Sequence, residues 1–268
     1  MTRRIDFINP FGTSAYDGLI AETLNAYAGE GTELAISHLR GSPPDIDYYY
    51  NKHLMETALF EHVMQSEAAG FDAVVIGCCY DPGLRVAREL VDIPVVGPLE
   101  ASMQMAAYFG HNYVVLTDHH KAVPYLEDLV RTSGLGGNCK GVRCINWWVK
   151  DMIHDPDAVA RDTIVLARAI LEDMRAELII MGCTIVAGCY QRHLMKTGDT
   201  GGVTIVNPNL LALKMAEGLA DLRQKGAYTL SRVGFYEQPK GHYREQFLAE
   251  RRKTAEALGL GGSAKAAE

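Results

Sequence analysis

The stretch that decides the fold is residues 73–84, AVVIGCCYDPGL. A short run of apolar, mostly β-branched residues ends in Gly-Cys-Cys, of which Cys78 is the first cysteine, and helical spacing follows over residues 84–90. Asp81 is a preferred N-cap residue and Pro82 suits a first helical position, so we predict that a helix starts there. A buried strand that leads into a helix through a Gly-Cys pair places a thiol at the carboxyl edge of a sheet, where open α/β folds bind ligands.

The same pattern recurs at residues 177–184, ELIIMGCT, where a second apolar strand ends at Cys183. Four pairs of predicted strands start at positions 5 and 113, 33 and 141, 74 and 178, and 94 and 204, which is a nearly constant offset. Alternating strands and helices imply parallel sheets with right-handed crossovers. We therefore predict an α/β fold of two lobes related by a pseudo-twofold axis. Each lobe is a four-stranded parallel sheet flanked by helices, and the active site lies in the cleft between them.

The chain is predicted to leave its first lobe and return to it. The first lobe is expected to comprise residues 1–106 and 208–268, and the second lobe residues 107–207, because the strand pattern restarts near 107 and ends near 207. The small, polar tail 259–268 is expected to fray.

Composition excludes several classes of partner. The chain has 268 residues and a net charge of −7, without the basic, aromatic-rich stripe typical of nucleic-acid binding. No apolar run approaches the roughly 20 residues that a membrane helix needs, and the first predicted strand, of about five or six residues, is too short for the apolar region of a signal peptide. We therefore expect a cytoplasmic protein with no nucleic-acid or membrane partner, whose six cysteines are reduced.

Cys78 and Cys183 are the candidate catalytic residues. A lone cysteine at a strand end is usually a small buried hydrophobe, but two at matched repeat positions favour catalysis. A nearby helix N-terminus is expected to lower a thiol pKa from about 8.5 towards roughly 3.5–7.5. One thiolate would then remove a proton from a carbon acid, while the other thiol returns one to the opposite face. Such a pair inverts a stereocentre without a cofactor.

Other motifs are less specific. No cysteine spacing resembles a zinc framework, so we predict no metal. His119 and His120 follow a predicted strand and suit an acidic substrate arm, although a loop histidine pair is more often solvated. Trp147 and Trp148 end another strand, where they would either wall the cleft or pack between the lobes.

Five segments of the chain are similar to the motifs of one known family. Residues 8–14 match an opening I-N-P-N-T-S, Cys78 with DPGL at 81–84 matches a first catalytic motif, and residues 96–101 match V-x-G-P-x-E-A. Gly182-Cys183 matches a second catalytic motif, and residues 231–236 match a closing segment, so the chain resembles the hydantoin racemase branch of the aspartate/glutamate racemase superfamily. The resemblance implies two acid/base cysteines, a homo-oligomer, and a cyclic ureide substrate such as a 5-substituted hydantoin or allantoin.

Three functions follow from these observations. The leading hypothesis is a cofactor-independent racemase of a hydantoin-like ring, and the second is a hydrolase, desulfhydrase or decarboxylase that acts on a related hydantoin or thiohydantoin through the same cysteines. The third is a two-lobed binding protein for small molecules. We expect the substrate to contact eight residues at strand ends and in the loops that follow them: Asn9, Phe11, Thr13, Ser14, Cys79, Tyr80, Thr117 and Thr184.

Overall fold

The buried apolar runs of the N-terminal part form one parallel sheet. The computed structural model describes residues 2–257 and 259. The first sheet contains β1 (Arg3–Asn9), β2 (Thr32–His38), β3 (Ala73–Ile76) and β4 (Val95–Val96), in the order β2-β1-β3-β4. Its strands all pair in parallel. All four residues of β3 are buried, as in a central strand covered by helices on both faces.

A second sheet repeats this arrangement. It contains β5 (Tyr113–Thr117), β6 (Cys139–Cys144), β7 (Leu178–Met181) and β8 (Ile205–Val206), in the order β6-β5-β7-β8, again parallel throughout. The relative order of the strands along the chain is therefore the same in both sheets. The predicted α/β fold with two four-stranded parallel sheets is confirmed.

Helices connect and cover the strands. Within the described residues they are α1 (Asp17–Asn25), α2 (Tyr49–Ala68), α3 (Leu84–Leu90), α4 (Pro98–Met105), α5 (Ala122–Thr132), α6 (Val149–Met152), α7 (Pro156–Met174), α8 (Thr184–Thr197), α9 (Pro208–Gln224) and α10 (His242–Ala257). None of these described helices is long and apolar enough to cross a bilayer.

Helix α9 lies on the first sheet, although it follows the last strand of the second. It packs against β1, β3, β4 and α4. Its Glu217 carboxylate accepts hydrogen bonds from the Gly29 amide at 2.7 Å and the Thr32 hydroxyl at 2.8 Å. The lobe boundaries themselves stay a prediction, and most of the tail that we expect to fray lies outside the described residues.

Helix α8 is the main element that the sequence pattern did not predict. It begins at Thr184, directly after Cys183, and its first eight residues are all buried. A helix that is buried all round shows no amphipathic period, so the usual sequence signal is missing. The same element gives Cys183 its position at the start of a helix.

The predicted helix over residues 84–90 is confirmed, but the predicted N-cap at Asp81 is wrong. The helix begins at Leu84, and its N-cap is Gly83 in the left-handed region (φ 59°). Asp81 also has a positive φ of 43°, and its carboxylate accepts hydrogen bonds from the amides of Leu99 at 3.2 Å and Glu100 at 2.8 Å. Asp81 therefore caps α4 rather than its own helix, because the fold brings a second helix N-terminus within its reach.

The carboxyl ends of β3 and β7 meet where the two sheets approach each other. Thr184 Oγ1 donates to the carbonyl of Gly77 at 2.9 Å, and Cys79 Sγ donates to the carbonyl of Met181 at 3.6 Å. The two predicted thiol-bearing edges thus contact each other directly.

Candidate active site

Cys78 follows the central strand of the first sheet through a tight turn. The Gly77 amide donates to the Ile8 carbonyl at 2.8 Å, and a Cβ on Gly77 would lie 2.3 Å from a ring carbon of Phe7. Glycine is therefore required here by close approach of the neighbouring strand. The Tyr80 amide donates to Cys78 Sγ at 3.4 Å, so a backbone donor already points at this sulfur.

Cys183 occupies the matching place in the second sheet. The Gly182 amide donates to the Leu116 carbonyl at 2.8 Å, and a Cβ on Gly182 would lie 2.8 Å from a methyl group of Val115. Cys183 is the N-cap residue of α8, and the amides of Ile185 and Val186 favour its ionised form. Backbone donors at a helix N-terminus thus face the second sulfur.

Both sulfurs belong to residues that line one cavity of about 20 Å³. Six of the residues predicted for the site line it: Phe11, Cys78, Cys79, Tyr80, Cys183 and Thr184. This volume suits about one water molecule. The space beside the two thiols is therefore smaller than a ring-sized substrate.

Four predicted substrate contacts lie away from this cavity. Asn9 is fully buried and donates to Asp17 Oδ1 at 2.7 Å, while Thr117 Oγ1 lies 3.2 Å from the Gly182 carbonyl oxygen. Thr13 Oγ1 accepts from the Ala15 amide at 3.2 Å, and the remaining residue, Ser14, is exposed. Contact of these four side chains with substrate stays a prediction.

The expected lowering of the thiol pKa values is wrong for this conformation. Burial raises the pKa of Cys78 to about 12, although the Tyr80 amide acts in the opposite direction. Burial and then the Asp118 carboxylate raise the pKa of Cys183 well above its usual value. Both thiols are therefore neutral here, because loss of hydration outweighs the backbone donors.

A polar cluster that the sequence analysis missed lies beside the thiols. Asp47, from the loop before α2, and Asp118, directly after β5, both line the cavity. His119 Nε2 lies 3.4 Å from Asp47 Oδ1 and 3.9 Å from Asp118 Oδ1, and atoms of this trio that could bind a metal lie within 4.8 Å of one another. The search for cysteine pairs missed them; the available signal was an acidic residue directly after a strand.

One member of the histidine pair and one of the tryptophan pair stack on each other beside the cavity. His120 is exposed, but His119 is fully buried, so the expected solvated pair is wrong for His119. The ring of Trp148 stacks on His119 with centroids 4.3 Å apart and faces Tyr48 at 6.2 Å. Trp148 therefore packs between His119 and Tyr48, while Trp147 donates to Asp162 at 2.9 Å.

Comparisons with known proteins agree along most of the chain. The Asp/Glu/Hydantoin racemase family matches residues 5–216. A hydantoin racemase from Rhizobium meliloti is 31% identical over 239 residues, which cover 88% of this chain and 95% of the relative. The allantoin racemase of Pseudomonas fluorescens has a TM-score of 0.77 and 28% identity, covering 89% of this chain and 97% of that one. Allantoin racemase from Klebsiella pneumoniae has a TM-score of 0.79 at 24% identity, covering 90% and 95%, and supports the fold alone.

Proposed function

The chain belongs to the Asp/Glu/Hydantoin racemase family, and we propose that it racemises a hydantoin-like cyclic ureide with Cys78 and Cys183 as its acid and base. Its enzyme class, an isomerase of the racemase type, follows from the family and the named relatives. The observation that carries the proposal is that both cysteines line the same cavity from two different sheets.

The proposed chemistry needs only the two thiols and nearby donors. One cysteine, ionised, takes the proton from the ring carbon between a carbonyl and a nitrogen, and the other donates a proton to the opposite face. The Tyr80 amide stabilises a thiolate at Cys78, and the amides at the start of α8 stabilise one at Cys183. Because burial raises both thiol pKa values, the thiolate is a strong base once it forms, which suits a weakly acidic carbon.

We propose that no cofactor takes part, since the carbonyl next to the reacting carbon can hold the developing charge as an enolate. The cellular setting belongs to the same proposal: a cytoplasmic homo-oligomer that acts on a small molecule. All six cysteines are free, which is consistent with a reducing compartment.

Hydrogen–deuterium exchange tests the proposal. Each enantiomer of 5-methylhydantoin is incubated with enzyme in D₂O, and deuterium uptake at the ring carbon is measured with optical rotation. We expect racemisation with exchange in the wild type, and a loss of about 10²–10⁴-fold in Cys78→Ser and in Cys183→Ser separately.

Cys189→Ser is the matched control, because Cys189 is equally buried in α8 but does not line the cavity. Racemisation that survives in either single serine variant contradicts the two-cysteine mechanism. Release of sulfide from a thiohydantoin without racemisation favours the lyase or hydrolase, and tight binding without turnover favours a binding protein.

A further inference from the structure

Two buried carboxylates line the cavity together with the thiols, one from each lobe. Asp47 is 5% exposed and Asp118 is 4% exposed. Among the described residues that line this cavity there is no lysine or arginine. The two carboxylates in this lining therefore face no lysine or arginine, and His119 is the basic side chain beside them.

These carboxylates are short of hydrogen-bond donors from the protein. Asp118 Oδ1 accepts from Thr117 Oγ1 at 2.9 Å and from the His119 amide at 2.8 Å. The Asp47 carboxylate has a single long contact of this kind, to His119 Nε2 at 3.4 Å, among the described residues. Buried carboxylates normally have donors, because burial without them is costly.

His119 provides an independent sign of an unfilled polar site. Its ring is fully buried, and neither ring nitrogen has a hydrogen-bond partner among the described residues. Its Nε2 points at both carboxylates, at distances beyond a good hydrogen bond. Three buried polar side chains thus converge on one place beside the thiols.

Lys52 and Lys121 each contact a group outside this cluster. Lys52 Nζ donates to Glu56 on the same helix, and Lys121 Nζ lies 3.7 Å from the centre of the Tyr49 ring. Among the described residues, neither ammonium group forms a salt bridge with Asp47 or Asp118.

From this geometry we propose that Asp47, Asp118 and His119 form a subsite for the ring substituent, and that it takes a cationic arm such as a guanidinium or ammonium group. The inference rests on the proposed function, because it assumes that the reacting ring lies between the two thiols. A guanidinium supplies several N–H donors and a positive charge, which match two carboxylates from opposite lobes. A carboxylate arm meets like charges and is rejected.

A matched set of hydantoins tests this subsite. The 3-guanidinopropyl and 3-ureidopropyl compounds have nearly the same shape and differ in charge, while 2-carboxyethyl and propyl compounds supply an anionic and a neutral arm. Exchange in D₂O gives kcat/KM for each compound with the wild type. We expect the guanidino arm to exceed the ureido arm about tenfold or more, since hydrogen bonds to charged groups are the stronger ones. We expect the carboxyethyl arm to be the poorest of the four.

Asp47→Asn should reduce the guanidino-to-ureido ratio towards one, whereas Asp128→Asn, which changes an exposed carboxylate on α5, should keep the wild-type ratio. Equal rates for the two arms in the wild type, or an unchanged ratio in Asp47→Asn, overturn the subsite.

If the propyl compound shows no exchange at all, the proposed function fails, and calorimetric binding of the same four compounds still decides the subsite. Preferential binding of the guanidino compound that is lost in Asp47→Asn supports it. Equal binding of the guanidino and ureido compounds overturns it.

Discussion

The two thiol-bearing strand ends occupy equivalent positions but present their sulfurs differently. At the second sheet, Cys183 leads directly into the long helix α8, so two amides of that helix face its sulfur. At the first sheet, the residues between Cys78 and α3 form a loop with positive φ at Asp81 and Gly83, and one amide reaches the sulfur. Burial, and after it the Asp118 carboxylate, nevertheless raise the pKa of Cys183 well above its usual value.

This difference teaches that a helix N-terminus does not by itself make a thiol acidic. For Cys78, Asp118 ranks below Asp81 among the carboxylates that raise the pKa. Burial is the largest cause for both thiols, and the carboxylate that ranks first after it is Asp81 for Cys78 and Asp118 for Cys183. The repeated strands place a cysteine at equivalent positions in the two sheets. The loops that follow the strands differ, and they give each sulfur different neighbours.

The largest expected difference between the two strand ends is the loss of stability when the glycine before each cysteine is substituted. A Cβ at Gly77 would lie 2.3 Å from the Phe7 ring and 2.8 Å from a backbone oxygen, while at Gly182 the tightest contact is a valine methyl at 2.8 Å. We expect Gly77→Ala to cost about 3 kcal/mol of unfolding free energy and Gly182→Ala about 1 kcal/mol. Urea unfolding monitored by circular dichroism measures both. Equal losses would show that the two turns are equally tight.

A second prediction concerns Asp81, whose role in the first loop is to cap α4. Burial raises the pKa of Asp81 to about 7, from an ordinary value of 3.8. The folded state therefore binds this proton more tightly than the unfolded chain, and its contribution to stability is lost as pH rises from about 4 through 7.

We expect wild-type unfolding free energy to fall by about 2 kcal/mol more than that of Asp81→Asn between pH 5 and pH 8. Urea titrations at several pH values measure the difference, and Asp128→Asn is the control because that carboxylate is exposed. Parallel pH profiles for wild type and Asp81→Asn would contradict the assignment.

The smallest expected effect separates the two thiols directly. Removing the charge of Asp118 should lower the pKa of Cys183 more than that of Cys78, given its rank among their influences. We expect Asp118→Asn to increase alkylation of Cys183 by iodoacetamide about tenfold at pH 8, with a smaller change at Cys78. Mass spectrometry of the two peptides over a pH series provides the readout. The same increase at both cysteines would show that Asp118 does not distinguish them.

The sequence predicted the framework because the strands carry dense local signals. Runs of β-branched residues before Gly77 and Gly182 locate two central strands, and their matched spacing reveals the repeat. The sequence alone therefore predicted the correct sheet edge for both cysteines. Helix α8 was missed because its buried first half has no polar face.

The parts that sequence reasoning missed depend on contacts between distant residues. Asp81 has good capping chemistry, but which helix it caps depends on where α4 packs. Asp47 precedes α2 and Asp118 follows β5, and the tertiary fold brings them to one cavity with the thiols. The thiol pKa values depend on burial, which the local motif does not determine.

The burial of both thiols beside a small cavity also affects how readily they are oxidised. Peroxide and other oxidants attack thiolates that they can reach, whereas both cysteines are buried and neutral in this conformation. Burial that keeps both thiols neutral therefore also shields them from oxidants in solution and limits their oxidative inactivation.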